Sequence, residues 1–258
     1  MLIVISPAKT LDFKTPAHTR KATTPEFIDR ATVLNKTLRK SSPEGIQQLM
    51  GVSSNIAALT HQRVMNWQPP FTQDNAKQSL LAFKGDVYAG LDADSLTARD
   101  LSYAQNHLRI LSGLYGVLRP LDLMQPYRLE MGIRLENPGG SNLYQFWGDE
   151  ITDALNRQLA SSRTQELINL ASNEYFKAVK PGGLTAEVIT PVFKDLKNGK
   201  YKVVSFFAKK ARGMMTRFAI ENRLSKAVQL KDFDGGGYRY NAAESTADRW
   251  TFTRDQPH

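Results

Sequence analysis

Two short apolar runs, each ending at a serine, constrain the fold of this chain more than any other feature. Leu2-Ile3-Val4-Ile5 passes into Ser6-Pro7-Ala8-Lys9-Thr10, and Leu167 to Ala171 passes into Ser172-Asn173, with Glu174, Tyr175, Phe176 and Lys177 behind it. Runs this brief, largely apolar and bounded by turn residues, read as buried strands feeding polar loops. Helical spacing fills much of the space between them, over Thr24 to Lys40, Pro43 to Met50 and Ser53 to Trp67, with Ser, Thr or Pro at several starts. The expected class is therefore α/β, a mixed α+β fold. At 258 residues the chain is near the upper limit for one core. With no repeat or low-complexity linker visible, residues 1–258 are expected to form a single elaborated domain of a mixed sheet and surrounding helices.

Three other segments carry local signals. Leu101, Ala104, Leu108 and Leu111 share a helical face. The chain then reverses at Ser112-Gly113-Leu114-Tyr115-Gly116, and Val117 to Met124 is expected as a short second helix, with Pro120 in its first turn. Val188 to Asp195 and Tyr201 to Phe207 flank Asn198-Gly199, the preferred dipeptide of a tight β-hairpin. From Ala208 the pattern becomes helical, with Ala211, Met215, Phe218 and Asn222 on one stripe and Lys209, Arg212, Arg217 and Arg223 off it. The tail after Gly235 reads as irregular, apart from a strand at Arg249 to Thr253.

Charge narrows the function. Lys and Arg number 34 against 25 Asp and Glu, a net +9 that favours a polyanionic partner. Cysteine is absent, which excludes disulfides, Cys-ligated metals and thiol-based peroxide turnover. No run of about 18 apolar residues and no basic leader is present, so the protein is expected to be cytoplasmic, with no membrane partner. The four histidines, His18, His61, His107 and His258, show no paired spacing, and no metal or cofactor is expected. Ser6 to Thr10 ends in Lys-Thr like a phosphate loop but lacks its glycines.

Strand ends collect ligand sites in α/β sheets, so Ser6 to Lys9, Ser172 to Lys177 and Ala208 to Arg212 are expected to converge on one cleft. Capping serines and solvated lysines are the competing reading. Gly113-Leu114-Tyr115-Gly116 between two helices is similar to a helix-hairpin-helix, whose freed amides bind phosphate without reading sequence. The densest charge runs from Lys194 through Lys197, Lys200, Lys202, Lys209, Lys210 and Arg212 to Arg217, broken only by Asp195. Among carboxylates, Asp86, Asp122, Glu130, Asp149 and Glu174 are candidates for acid–base work or for plain surface ion pairs.

Taken together, several segments resemble the YaaA family of peroxide-stress resistance proteins. They are Ser6 to Thr10, Phe83-Lys84-Gly85-Asp86-Val87-Tyr88, Leu111 to Asp122, Pro126 to Gly132, Asn169 to Ser172 and Ser205 to Gly213. The resemblance implies a mixed α/β fold with a positively charged cleft, a helix-hairpin-helix, binding of duplex or distorted DNA, and protection linked to lower free intracellular iron. It places the hairpin on Gly113 and Gly116 and the DNA contacts on Lys9, Lys84, Arg119, Arg128, Lys209, Lys210 and Arg212. Double-stranded DNA is the expected partner and a monomer the expected state. The competing function is a glycosylase-like or lyase-like enzyme, with Lys9 or Lys209 as nucleophile and Glu174 assisting.

Overall fold

A computed structural model describes residues 1–161 and 165–255. His258 lies outside the described residues. Eight strands form one mixed sheet: β1 (Leu2–Ile5), β2 (Leu108–Ser112), β3 (Gly116–Leu118), β4 (Glu166–Leu170), β5 (Glu187–Lys197), β6 (Lys200–Lys202), β7 (Arg239–Tyr240) and β8 (Arg249–Arg254). Their order is β7-β8-β5-β4-β1-β2-β3, with β6 paired to β5. Strands β2, β1, β4, β5 and β8 run parallel to one another, while β3, β6 and β7 are antiparallel to their neighbours. The sheet thus takes strands from both ends of the chain: the strand expected at Arg249 to Thr253 is β8 in its parallel part, and the otherwise irregular tail adds β7.

This order places the ligand cleft. The chain leaves β1 for β2 on one side and returns to β4 on the other, so strand order reverses between β1 and β4. Ile5 pairs with both Ile110 and Leu170, which brings the carboxyl ends of β1, β2 and β4 level. Loops leaving a reversal point diverge and open a crevice between them. Ser6 and Ser172 begin those two loops.

Eight helices are relevant here: α1 (Ile28–Leu38), α2 (Pro43–Met50), α3 (Ser54–Asn66), α4 (Asp86–Leu91), α5 (Ala98–His107), α6 (Glu150–Ala160), α7 (Asn173–Phe176) and α8 (Ser205–Glu221). Helix α2 ends at Gly51, whose φ of 60° is left-handed, and Ser53 caps α3 by accepting from the Ile56 amide. Gly51→Ala is expected to cost about 1 kcal/mol, because an alanine pays for that backbone region. Thermal melting measures the loss.

Helix α8 crosses α4 in direct backbone contact. A Cβ on Gly213 would lie 1.8 Å from the Val87 carbonyl oxygen, and one on Gly90 would lie 2.1 Å from that of Lys210. Only glycine permits this approach, and it sets Lys209 and Arg212 on the same cleft as Gly85 and Asp86.

One expected element is overturned. Helix α5 stops at His107, and Leu108 to Ser112 continue as a fully buried strand rather than as more helix. Gly113 to Gly116 is then the turn of a β-hairpin, with Ser112 paired to Gly116, and Val117 to Met124 holds strand β3 and a two-residue strand at Leu123–Met124. The helical stripe through Leu101, Ala104, Leu108 and Leu111 counted only every third or fourth residue. Ile110, Leu111, Leu114, Tyr115, Val117 and Leu118 form a nearly continuous apolar run, which is what a strand buried on both faces requires.

The Asn198-Gly199 turn is present, with φ of 53° and 72°, the mirror-image geometry that tight hairpins favour. Its second strand is shorter than expected, because Ser205 already begins α8.

Candidate functional site

A cleft of about 500 Å³ opens at the carboxyl ends of β1 and β4. Ser6 to Thr10 and Ser172 form one part of it, Lys84 to Tyr88 another, Tyr127 to Glu130 a third, and Lys209 with Arg212 of α8 a fourth. All three segments expected to converge therefore contribute to one crevice. Five of the nine candidate DNA contacts lie there: Lys9, Lys84, Arg128, Lys209 and Arg212. Glu174 also lines it.

The remaining four lie elsewhere. Gly113 and Gly116 are buried in the β2–β3 hairpin, where a Cβ would meet the Leu129 carbonyl oxygen at 2.3 Å or the Trp147 ring at 2.8 Å. Their role is close packing, and the expected helix-hairpin-helix at this position is corrected accordingly. Arg119 faces a separate cavity of about 370 Å³, with Arg109 and Arg157, and pairs with Asp122 at 2.9 Å. Lys210 is exposed on α8 and is not among the cleft-lining residues.

The two strand-end serines do not act as helix caps. Ser172 occupies the N-cap position of α7 without capping it. Instead the Ser172 amide donates to Ser6 Oγ at 2.9 Å, and Ser6 Oγ donates to Ser172 Oγ at 3.3 Å. Tyr88 supports the pair from behind, its hydroxyl donating to the Ser6 carbonyl at 3.0 Å. Burial drives the Tyr88, Tyr127 and Tyr175 hydroxyls above the ordinary tyrosine range, so they stay protonated as donors.

Charge is unevenly matched within the cleft. Lys9 Nζ holds Glu130 at 2.7 Å, and Arg128 reaches the other Glu130 oxygen at 3.4 Å. Glu174 accepts from the Gly132 amide at 2.9 Å, and Lys84 is held by Asp94 at 2.5 Å. Neither Lys209 nor Arg212 makes an ion pair among the described residues. Burial lowers the Arg212 pKa, a mark of a guanidinium short of both water and counter-charge. Arg128 Nε is buried without an acceptor.

A second cavity of about 660 Å³ adjoins the first and shares Thr10 and Lys84 with it. Its walls include Phe13, Lys14 and, from α3 onward, Arg63, Asn66 and Trp67. Arg63 is lowered in pKa by burial and then by the nearby charge of Arg128. The two cavities lie side by side between α8 and α3, with Thr10 and Lys84 lining both. This continuation, and the part of α3 in it, escaped the sequence reading; the only signal was Arg63 and Trp67 at the end of a capped helix.

The basic run from Lys194 to Arg217 does not form one free surface. Lys194 pairs with Glu244 at 2.5 Å, and Arg217 with Asp92 and Glu221. Asp195, the single acid within it, is buried against Arg254 and is no surface neutraliser. Among the described residues, no group of three His, Asp or Glu side chains could hold a metal ion, and no helix is long and apolar enough to cross a membrane.

Comparison with known proteins agrees with the segments that carry the resemblance. A family model described as peroxide stress protein YaaA matches residues 1–244. A UPF0246 protein from Cellvibrio japonicus (strain Ueda107) is 58% identical over 257 residues, covering 100% of both chains. Those from Janthinobacterium sp. (strain Marseille) and Aliivibrio fischeri (strain MJ11) are each 57% identical, over 98% and 99% of both chains. A match of this length and identity leaves one conclusion: the chain belongs to the YaaA family of peroxide stress proteins.

Proposed function

We propose that this protein acts in peroxide stress by binding duplex or distorted DNA, with phosphates held along the groove between α8 and α3. The supporting observation is that cations from five distant segments, Lys9, Lys84, Arg128, Arg212 and Arg63, line two cavities joined at Thr10 and Lys84. Cavities of this size suit single nucleotides rather than a whole double helix. The duplex lies across the mouth, and a displaced or unpaired stretch enters.

We place the phosphate-binding turn first expected at Gly113 and Gly116 on the α2–α3 turn instead, outside both cavities and at the end of α3 away from Arg63 and Trp67. Left-handed Gly51 turns the chain, and the exposed residues Ser53, Ser54 and Asn55 begin α3. Amides at such a helix start are of the kind that helix-hairpin-helix elements present to a phosphate. Contacts of this kind carry no base sequence.

A lyase is less well supported. Its lysine nucleophile needs to be stripped of water and counter-charge. Lys9 is 61% exposed and ion-paired with Glu130, Lys209 has no ion pair among the described residues but is exposed to water, and Glu174 is engaged by the Gly132 amide.

Fluorescence anisotropy with labelled duplex at several salt concentrations tests the proposal. The apparent constant is expected to fall with log salt by about 0.9 per phosphate neutralised. The double variant Lys84→Glu, Arg212→Glu is expected to weaken binding roughly tenfold to a hundredfold and to flatten that slope by about 2. Unchanged binding in this variant would remove the groove from the account.

A further inference from the structure

We infer that the inner end of the groove, between the Ser6–Ser172 pair and α8, is a subsite for a phosphate monoester carried on a nucleoside. This deepens the nucleic-acid reading and rests on it only for the strand that delivers the phosphate.

The donors are of the right kind and are uncommitted. In the relay from the Ser172 amide to Ser6 Oγ to Ser172 Oγ, the last hydroxyl hydrogen has no acceptor among the described residues. It sits at the point where strand order reverses, the place where α/β sheets bind ligands. Across the cleft, Lys209 and Arg212 have no carboxylate of their own, and Arg128 has only the 3.4 Å contact to a Glu130 already held by Lys9.

The form of the phosphate follows from geometry and charge. A monoester carries about −1.5 to −2 charge and three strong acceptor oxygens, whereas an internal diester carries one charge and must leave the site in two directions. Donors on the cleft wall come from three segments: the strand ends, the segment at Arg128, and α8. Guanidinium, ammonium and hydroxyl donors lining one cleft supply enough hydrogens for three acceptor oxygens.

About 500 Å³ exceeds what phosphate alone would fill. The remaining wall includes Tyr127, Tyr175 and Leu129, suited to a ring face, and Asp86 has no bonded partner among the described residues and can accept from a base amino group or sugar hydroxyl. Oxidative cleavage of deoxyribose leaves strand ends that carry such phosphates, so a broken strand and a free nucleotide present the same chemistry.

The test uses the full chain and two matched pairs of probes. Calorimetry compares a deoxynucleoside 5′-monophosphate with the same nucleoside lacking phosphate. Anisotropy competition compares a gapped duplex bearing a 5′-phosphate at the gap with the same duplex without it, alongside an uninterrupted duplex.

The phosphate is expected to raise affinity at least about tenfold in both pairs, the effect of one charge-assisted hydrogen bond. Arg212→Gln and the exposed Lys209→Gln are each expected to cut that ratio severalfold, while thermal melting confirms that both variants are folded. A preference for the free monophosphate alone assigns the subsite to nucleotides, and a preference in both pairs assigns it to strand ends as well. Equal affinity with and without phosphate in both pairs overturns the subsite. If the uninterrupted duplex binds and no phosphate preference exists, DNA binding stands and this inference falls. Monophosphate binding without any duplex binding gives the reverse.

Discussion

Replacing Asp195 by Ala is expected to lower the stability of this protein by about 3–5 kcal/mol, the cost of leaving a buried charge without its partner. Asp195 on β5 is 3% exposed and accepts from Arg254 Nε, which is 5% exposed. Tyr238 Oη also donates to both of its oxygens, at 3.1 and 3.0 Å. The Arg254 guanidinium stacks between Phe207 and Tyr238, 4.6 and 4.5 Å from their centroids, and gives one further bond to the Gly236 carbonyl.

These contacts hold the last strand in register, since Arg254 and Asp195 are direct partners in the β8–β5 pairing. In Asp195→Ala the guanidinium has nowhere to go, because two rings and strand β5 enclose it. The midpoint of thermal unfolding is expected to drop by roughly 10 °C for a chain of this size. Pairing Asp195→Leu with Arg254→Met is expected to recover most of that loss, because both charges then disappear together. Failure of the double variant to recover would show that the Tyr238 hydrogen bonds, rather than the ion pair, hold the strand.

The second large effect belongs to Gly213. An alanine there sets a methyl 1.8 Å from the Val87 carbonyl oxygen and 2.8 Å from the Leu91 amide nitrogen, and both obstacles are backbone. No rotamer change relieves such a contact, so α8 must move off α4. A destabilisation of about 3 kcal/mol is expected, the upper end of the usual range for overpacking. The displacement also carries Lys209 and Arg212 away from Asp86, so nucleotide affinity is expected to fall with stability. Gly182→Ala is the control, since nothing lies within 4 Å of a Cβ there, and it is expected to be neutral. Chemical denaturation of the two variants side by side measures the difference. A Gly213→Ala protein as stable as the control would mean that the two helices are not in backbone contact in solution.

Much of the fold was legible residue by residue. The strands at Leu2–Ile5 and Glu166–Leu170, the helix at Pro43–Met50 and the Asn198-Gly199 turn all follow from local composition, because each is decided by burial pattern or by a backbone angle that few residues adopt. The failure at Leu108 to Met124 has the same physical origin. Leu108 and Leu111 fit a helical stripe as well as they fit a strand, and only the place of β2 against β1 in the sheet decides between them. Arg119 and Arg128 illustrate the limit for the site. They are nine residues apart and chemically identical, yet one faces the cleft at the strand ends and the other a separate cavity.

Outside Leu108 to Met124, the sequence by itself determined where most strands and helices lie, since those choices depend on side chains within a few positions of one another. It also determined the excess of positive charge and the family to which the chain belongs. Only the tertiary structure decided that Ser6 meets Ser172, that Arg212 shares a crevice with Lys9, and that Asp195 is a buried partner of Arg254 rather than a surface acid. These pairings join residues 59 to 203 positions apart. Their energy depends on the order of strands in the sheet and on two glycines that let helices touch, and neither is written in the periodicity of any single segment.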